Sequence, residues 1–246
     1  MSDTAHTLFI SDLHLSADRP DITQQFLTFM QDSAPHAEAL YILGDLFEIW
    51  LGDDAITSEH EVVIKAIRSI SDRGIAVYFM HGNRDFLIGN GFAAACSCEI
   101  LSDPCIINLY GTDTLLSHGD SLCTDDDDYQ KFRAYIRNPQ TIEQLMALSI
   151  EERIAKGKEY RMASQDANKE KSMEIMDVNQ DAVKKMLREY NVQHMIHGHT
   201  HRPNVHTIDL GGKLAQRIVL GDWYAQGSQI YADANGCELQ QLPRNG

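Results

Sequence analysis

An α/β sandwich is the fold this 246-residue chain predicts, on three observations. Short runs of large apolar residues end abruptly in glycine and polar residues, as where Leu40-Tyr41-Ile42-Leu43 meets Gly44-Asp45. Such runs, bounded by turn signals, read as strands buried on both faces. Stretches of helical period stand between them. Finally, five of the runs deliver carboxylate, amide or imidazole groups at their ends, where open α/β sheets bind ligands.

In chain order, Thr7–Ser11 is a strand that delivers Asp12 and His14. A polar turn through Pro20 leads to a helix over Ile22–Gln31, with Ile22, Phe26, Leu27, Phe29 and Met30 at helical spacing. The Leu40–Leu43 strand delivers Asp45, and Phe47–Asp54 reads as a loop. Glu59–Arg73 predicts an amphipathic helix with Val62, Val63, Ala66, Ile67 and Ile70 inside and Gly74 past its end. Val77–Met80 delivers Asn83, Arg84 and Asp85 through His81-Gly82. Ile106–Tyr110 and Thr114–Ser117 read as a hairpin about Gly111-Thr112-Asp113, delivering His118 and Asp120.

From about 125 to 171 strand signals vanish. Between Lys131 and Lys171 nine Lys/Arg face six Asp/Glu, a local positive surplus in an acidic chain. This predicts a helical insertion, a lid over the strand ends, within a single domain spanning 1–246. A helix over Ser172–Tyr190 follows, then a strand at Met195-Ile196 delivering His197, His199 and His201. Arg217–Leu220 and Gln229–Ala232 are expected to close the sheet.

The net charge of -15 and pI near 5.0 argue against nucleic acid as a partner, which needs a cationic surface. The five cysteines form no C-x-x-C pair, so inert thiols in a reducing cytosol are expected, Cys96-Ser97-Cys98 included. No apolar run approaches the roughly 20 residues of a transmembrane helix, so the expected location is cytosolic or peripheral to a membrane.

Asp12, His14, Asp45, Asn83, His118, His199 and His201 form the candidate ligand set. Carboxylate, amide and imidazole without thiolate suit Mn²⁺, Fe or Zn²⁺. Seven ligands are too many for one ion but suffice for two ions about 3.5–4 Å apart sharing a carboxylate, and Asp45 is the natural bridge. Such a pair activates water and clamps an in-line displacement at phosphorus, so the reaction class is phosphoester or phosphoanhydride hydrolysis. In Asp12-Leu13-His14 and His199-Thr200-His201, extended chain would point the i and i+2 ligands the same way.

Asp-x-His, Gly-Asp, Gly-Asn-x-Asp, His-Gly-Asp and Gly-His-x-His, in that order, resemble the calcineurin-like metallophosphoesterases. The resemblance covers nearly all of the chain outside the insertion. It implies a four-layer αββα sandwich with Asp12, His14, Asp45 and His201 at one metal and Asp45, Asn83, His118 and His199 at the other. Most of the family has His after the Asn; here the residue is Arg84. Arginine binds phosphate bidentately but gives up no proton at neutral pH, which suits a leaving group such as a nucleoside monophosphate.

The finer pattern, including Leu122-Cys123-Thr124-Asp125-Asp126 and Ile175-Met176-Asp177-Val178-Asn179, resembles one branch of that family. The branch implies two manganese ions, a lipid-linked UDP-sugar substrate and a monomer held peripherally at the cytoplasmic face of the bacterial inner membrane. Asp45 and Arg84 would be catalytic, with Asn83, Arg84, Asp126, Ser164, Asn168, Lys171 and His199 touching substrate. A soluble nucleotide diphosphatase or phosphodiesterase is the alternative within the family. A non-catalytic scaffold is the alternative outside it, and the full ligand set speaks against that.

Blander roles are expected elsewhere. His197 belongs to the core or supports the ligands, while Asp85 and Asp120 orient their neighbours. The Asp125–Asp128 run starts a helix near its positive dipole end. Phe132, Tyr135, Ile136, Leu145, Met146, Leu148 and Ile154 form either the insertion's own core or an acyl pocket. Trp50 and Trp223 are packing residues.

Overall fold

A computed structural model describes residues 5–169, 175 and 177–243, without the side chains of 163–169. The elements run β1 (Thr7–Ile10), α1 (Pro20–Asp32), β2 (Ala39–Ile42), α2 (Ser58–Ser71), β3 (Ala76–Met80), α3 (Asn90–Cys96) and β4 (Glu99–Leu101). Next come β5 (Cys105–Leu109), β6 (Thr112–Ser117), α4 (Asp127–Ile136), α5 (Pro139–Met146), α6 (Ile150–Lys169) and α7 (Gln180–Glu189). The chain closes with β7 (His194–His197), β8 (Asn204–Asp209), β9 (Leu214–Val219), β10 (Gly227–Asp233) and β11 (Gly236–Leu242).

The strands form two sheets, ordered β11-β10-β1-β2-β3-β4 and β5-β6-β7-β9-β8. Within the first, β1 to β4 are parallel; within the second, β6, β7 and β9 are. Alternation along each strand explains why the runs are apolar throughout. Leu8, Ile10, Leu40, Ile42, Val77 and Phe79 face the cluster shared with Ile22, Phe26, Ile67 and Phe92 of the first three helices. Phe9, Tyr41, Leu43 and Met80 point the other way and meet Leu116, Ile196 and Ile218 of the second sheet. The outer face of that sheet, Leu115 and Met195, packs on Val183 and Leu187 of α7. The result is four layers with three apolar clusters, not one core. Trp50 and Trp223 are buried among the first.

Several boundaries differ from expectation. Arg217–Leu220 and Gln229–Ala232 do not close one sheet: β9 belongs to the second and β10 to the first. The hairpin turns at Tyr110-Gly111, both with positive φ, instead of at Gly111-Thr112-Asp113. Val62 is 44% exposed, because the inward stripe of α2 is Val63, Ile64, Ile67 and Ile70. The helix expected from Ser172 begins at Gln180, where the Asn179 side chain accepts from the Asp181 and Ala182 N–H groups. Residues 172–174 and 176 of that expectation lie outside the described residues. Strands β4, β8 and β11 and helix α3 carry too little apolar pattern to be read in advance.

Candidate dinuclear metal centre

The C-terminal ends of β1, β2, β3, β6 and β7 converge from both sheets on one point. Backbone hydrogen bonds tie the first two loops together, Asp12 N to Gly44 O at 3.1 Å and His14 N to Asp45 O at 3.0 Å. The loops do not continue the extended chain. Asp12, His14, Asp45, His199 and His201 all have φ between 51° and 68°, a conformation non-glycine residues rarely adopt. Ligands two apart therefore converge through left-handed backbone, not through strand pleat. Two glycines make this packing possible. A Cβ on Gly82 would lie 2.1 Å from Asp45 Oδ1, and one on Gly198 2.2 Å from Asp12 Oδ2.

All seven expected ligands come together, in two adjoining groups. Asp12, His14 and His201 offer ligand atoms within 4.8 Å of one another, and so do Asp45, His118 and His199. In the first group His201 Nε2 lies 3.2 Å from His14 Nε2 and 3.4 Å from Asp12 Oδ1. In the second, Asn83 Oδ1 lies 3.0 Å from His118 Nε2 and 2.9 Å from His199 Nδ1. Asp45 stands between them: Oδ2 is 3.7 Å from His14 Nε2 and Oδ1 is 3.8 Å from His118 Nε2. One oxygen faces each group, the arrangement a bridging carboxylate requires.

The surroundings fit cations. Asp12 Oδ1 is fully buried and has only the His201 ring nitrogen at 3.4 Å to face, without a well-formed hydrogen bond, an arrangement a positive ion would satisfy. His118 Nδ1 donates to the Leu43 carbonyl at 2.9 Å, which turns Nε2 toward the centre, where a cation could take the place of its proton. Burial alone would lower the His118 pKa, but Asp45, Asp12 and Asp120 reverse that and lift it to about 9. Burial and the neighbouring His118 hold His199 down at about 4. Burial works against the Asp12 carboxylate, yet His201, His118 and His14 hold it far below the usual range. The donor set contains no thiolate, so it suits Mn²⁺, Fe or Zn²⁺.

Around the ligands, Asp85 is a buried brace. Its carboxylate accepts from the Gly82, Asp45 and Leu46 N–H groups at 2.8, 3.3 and 2.8 Å. Burial, then Asp45, raises its pKa. His197 is fully buried; Nδ1 donates to the Gly198 carbonyl at 2.8 Å and Nε2 lies 3.4 Å from Arg217 Nη1.

The centre opens into a cavity of about 480 Å³ between the 48–51 and 83–87 loops and helices α4–α6. Asn83 and Arg84 line it on the metal side, and Phe132, Tyr135, Ile136 and Leu145 line it on the helical side. Asp126 caps α4 by accepting from Tyr129 N at 3.1 Å. Ser164 and Asn168 sit in α6 with side chains outside the description, and Lys171 lies outside the described residues.

Sequence reasoning missed several groups. Glu48 Oε2 approaches His14 Nδ1 at 3.0 Å while its other oxygen pairs with Arg161 at 2.8 Å. Tyr224 stacks on His14 at 5.4 Å, and Asp222 lies 3.4 Å from His201 Nδ1. Tyr129, Arg133 and Arg137 all reach Asp120. Only these last three carried a sequence signal, their spacing of four along a predicted helix.

Two metal-ligand groups around a shared carboxylate, set at the ends of facing sheets, define a binuclear phosphoesterase architecture. The calcineurin-like phosphoesterase family matches residues 5–203, and the chain belongs to it. Within reach of closer comparison, the UDP-2,3-diacylglucosamine hydrolase of Marinobacter nauticus is 54% identical over 217 residues, 88% of this chain and 89% of that one. The protein of the same name from Pseudomonas aeruginosa is 48% identical over 236 residues, 96% and 98% of the two chains. A solved archaeal phosphodiesterase is similar in fold alone, with a TM-score of 0.50 and 12% identity over 96% of this chain and 99% of the other.

Proposed function

We infer that the chain hydrolyses UDP-2,3-diacylglucosamine in lipid A synthesis. One water splits the diphosphate, giving UMP and 2,3-diacylglucosamine 1-phosphate. The observation that carries this reading is the continuity between the ligand cluster and the largely apolar cavity, joined at Asn83 and Arg84. A diphosphate at the cluster leaves the acylated sugar facing that cavity.

Asp12, His14, Asp45 and His201 would hold one divalent ion, and Asp45, Asn83, His118 and His199 the other. Manganese is the ion we assign. Bound there, the pair supplies an activated water and neutralises charge on the phosphates. Asp45 stays in place because Arg84 N donates to its Oδ1 at 2.8 Å and Asp85 holds its backbone. The Arg84 guanidinium stabilises charge on the phosphoryl oxygens. It supplies no proton to the leaving group, and a phosphate monoester leaving from a diphosphate needs none.

Phe132, Tyr135, Ile136 and Leu145 give the acyl chains an apolar wall. Of the two readings left open for the insertion, this supports the pocket for those four, whereas Met146, Leu148 and Ile154 are not among its lining. Helices α4–α6 then act as the lid, and substrate-contacting roles are proposed for Asp126, Ser164, Asn168 and Lys171. No helix of the described residues is long and apolar enough to cross a membrane. We assign a peripheral position at the cytoplasmic face of the inner membrane, supported by exposed Tyr135, Met146, Ile154 and Met162 near basic Lys156 and Arg161. The active form is assigned as a monomer without a nucleic-acid partner.

The test is UMP release from UDP-2,3-diacylglucosamine and from UDP-N-acetylglucosamine, with manganese and dilute detergent. Turnover of the acylated substrate alone, lost in Asp45→Ala, is expected. Loss of a ligand shared by both ions should exceed the roughly 10–100-fold that an outer partner costs. Equal rates on the two substrates would overturn the lipid assignment.

A further inference from the structure

One helix of the cavity wall is joined to only one half of the metal centre. The Asp120 carboxylate, wholly buried, accepts from three side chains spaced four apart along α4 and its C-cap: Tyr129 Oη at 3.0 Å, Arg133 Nε at 2.8 Å and Arg137 Nη2 at 3.1 Å. Gln130 Nε2 adds a bond to the Asp120 carbonyl at 2.8 Å. Asp120 lies two residues beyond His118. The same Arg137 nitrogen donates to the Gly82 carbonyl at 3.0 Å, within the peptide unit that leads into Asn83. The Tyr129 ring stacks on His199 at 5.9 Å. Through these contacts α4 reaches His118, Asn83 and His199. The first group is supported differently, by Tyr224 on His14 and Asp222 beside His201.

We propose that Arg137 and Asp120 are positioning residues that set the affinity of the Asn83–His118–His199 metal position and leave the Asp12–His14–His201 position untouched. The physical reason lies in Asn83. A neutral amide is the weakest ligand of the seven, so its contribution depends on how its oxygen is aimed. Arg137 fixes the Gly82–Asn83 peptide plane, while Asp120 holds Arg137 by a charge-assisted bond in a buried setting. The inference rests on the dinuclear reading above and is independent of the substrate assigned there.

The experiment is Mn²⁺ binding to metal-stripped protein by equilibrium dialysis, with electron paramagnetic resonance to detect the spin-coupled pair. The parent is expected to take up two ions. Arg137→Met should keep one ion at parental affinity and bind the second about 10–100-fold more weakly, with the coupled signal appearing only at correspondingly higher Mn²⁺. Arg137→Lys, which keeps the charge, should recover part of the loss. Tyr129→Phe removes one hydroxyl from Asp120 at little risk to folding and should weaken the same ion by a few fold. It decides the matter if Arg137→Met does not fold. Two ions at parental affinity in the folded variants, or both ions weakened alike, would overturn the proposal. A parent that binds no ion pair would instead overturn the reading beneath it.

Discussion

His60 shows how one half-buried side chain makes stability depend on pH. Its Nδ1 accepts from Thr57 N at 3.2 Å at the start of α2, so the folded state needs the neutral ring. Burial against Phe47 and Trp50 lowers its pKa below the ordinary value. The unfolded chain then takes up the proton first as pH falls. The stabilisation is complete above about pH 6.5 and is lost progressively below it. Urea midpoints measured from pH 7.5 to 5 should fall in the parent and fall less in His60→Gln, which retains an acceptor. The difference is expected to be no larger than that of a helix cap, about 0.5–2 kcal/mol. Parallel curves for the two proteins would refute the assignment.

Among elements, α6 is held to the 49–54 loop by close packing as well as charge. Arg153, buried to 3% exposure, donates to Asp54 and to the Leu51 carbonyl. A Cβ on Gly157 would lie 2.7 Å from Ile49 Cδ1, the end of a flexible side chain. Alanine there should be tolerated, while a larger residue must push the helix from the loop and reshape the cavity. Gly157→Leu is expected to raise KM for the acylated substrate several-fold and to leave hydrolysis of bis(p-nitrophenyl) phosphate near parental. Equal losses on both substrates would mean that the helix supports the metal centre instead of the cavity. The helical period of this segment was legible in the sequence, but its docking was not. Arg133, Arg137 and Arg153 look like ordinary surface cations until the fold places Asp120 and Asp54 beside them.

For the whole molecule, the metal centre joins the two sheets, so its ions should contribute to global stability. A ligand present at about 100 times its Kd adds roughly 2.7 kcal/mol. For a protein of this size that amounts to about 5–10 °C in Tm. Chelation by EDTA should lower Tm by that amount, and added Mn²⁺ should restore it. An unchanged Tm would mean that the centre forms without ions.

The sequence by itself determined the α/β sandwich and the seven candidate ligands. A strand buried on both faces must be apolar throughout, and a polar group at its end stands out against that background; Leu40–Asp45 is legible for this reason. Alternating burial of Leu8, Phe9 and Ile10 follows from the same rule. Only the tertiary structure decided which sheet each late strand joins, since β9 and β10 have similar local patterns but belong to different sheets. It also decided the left-handed backbone at Asp12, His14, Asp45, His199 and His201, which local propensity disfavours and which long-range bonds such as His14 N to Asp45 O impose. The supporting roles of Glu48, Arg137 and Tyr224 were likewise hidden. Ligand motifs are local in sequence, whereas what orients them comes from wherever the fold happens to bring a partner.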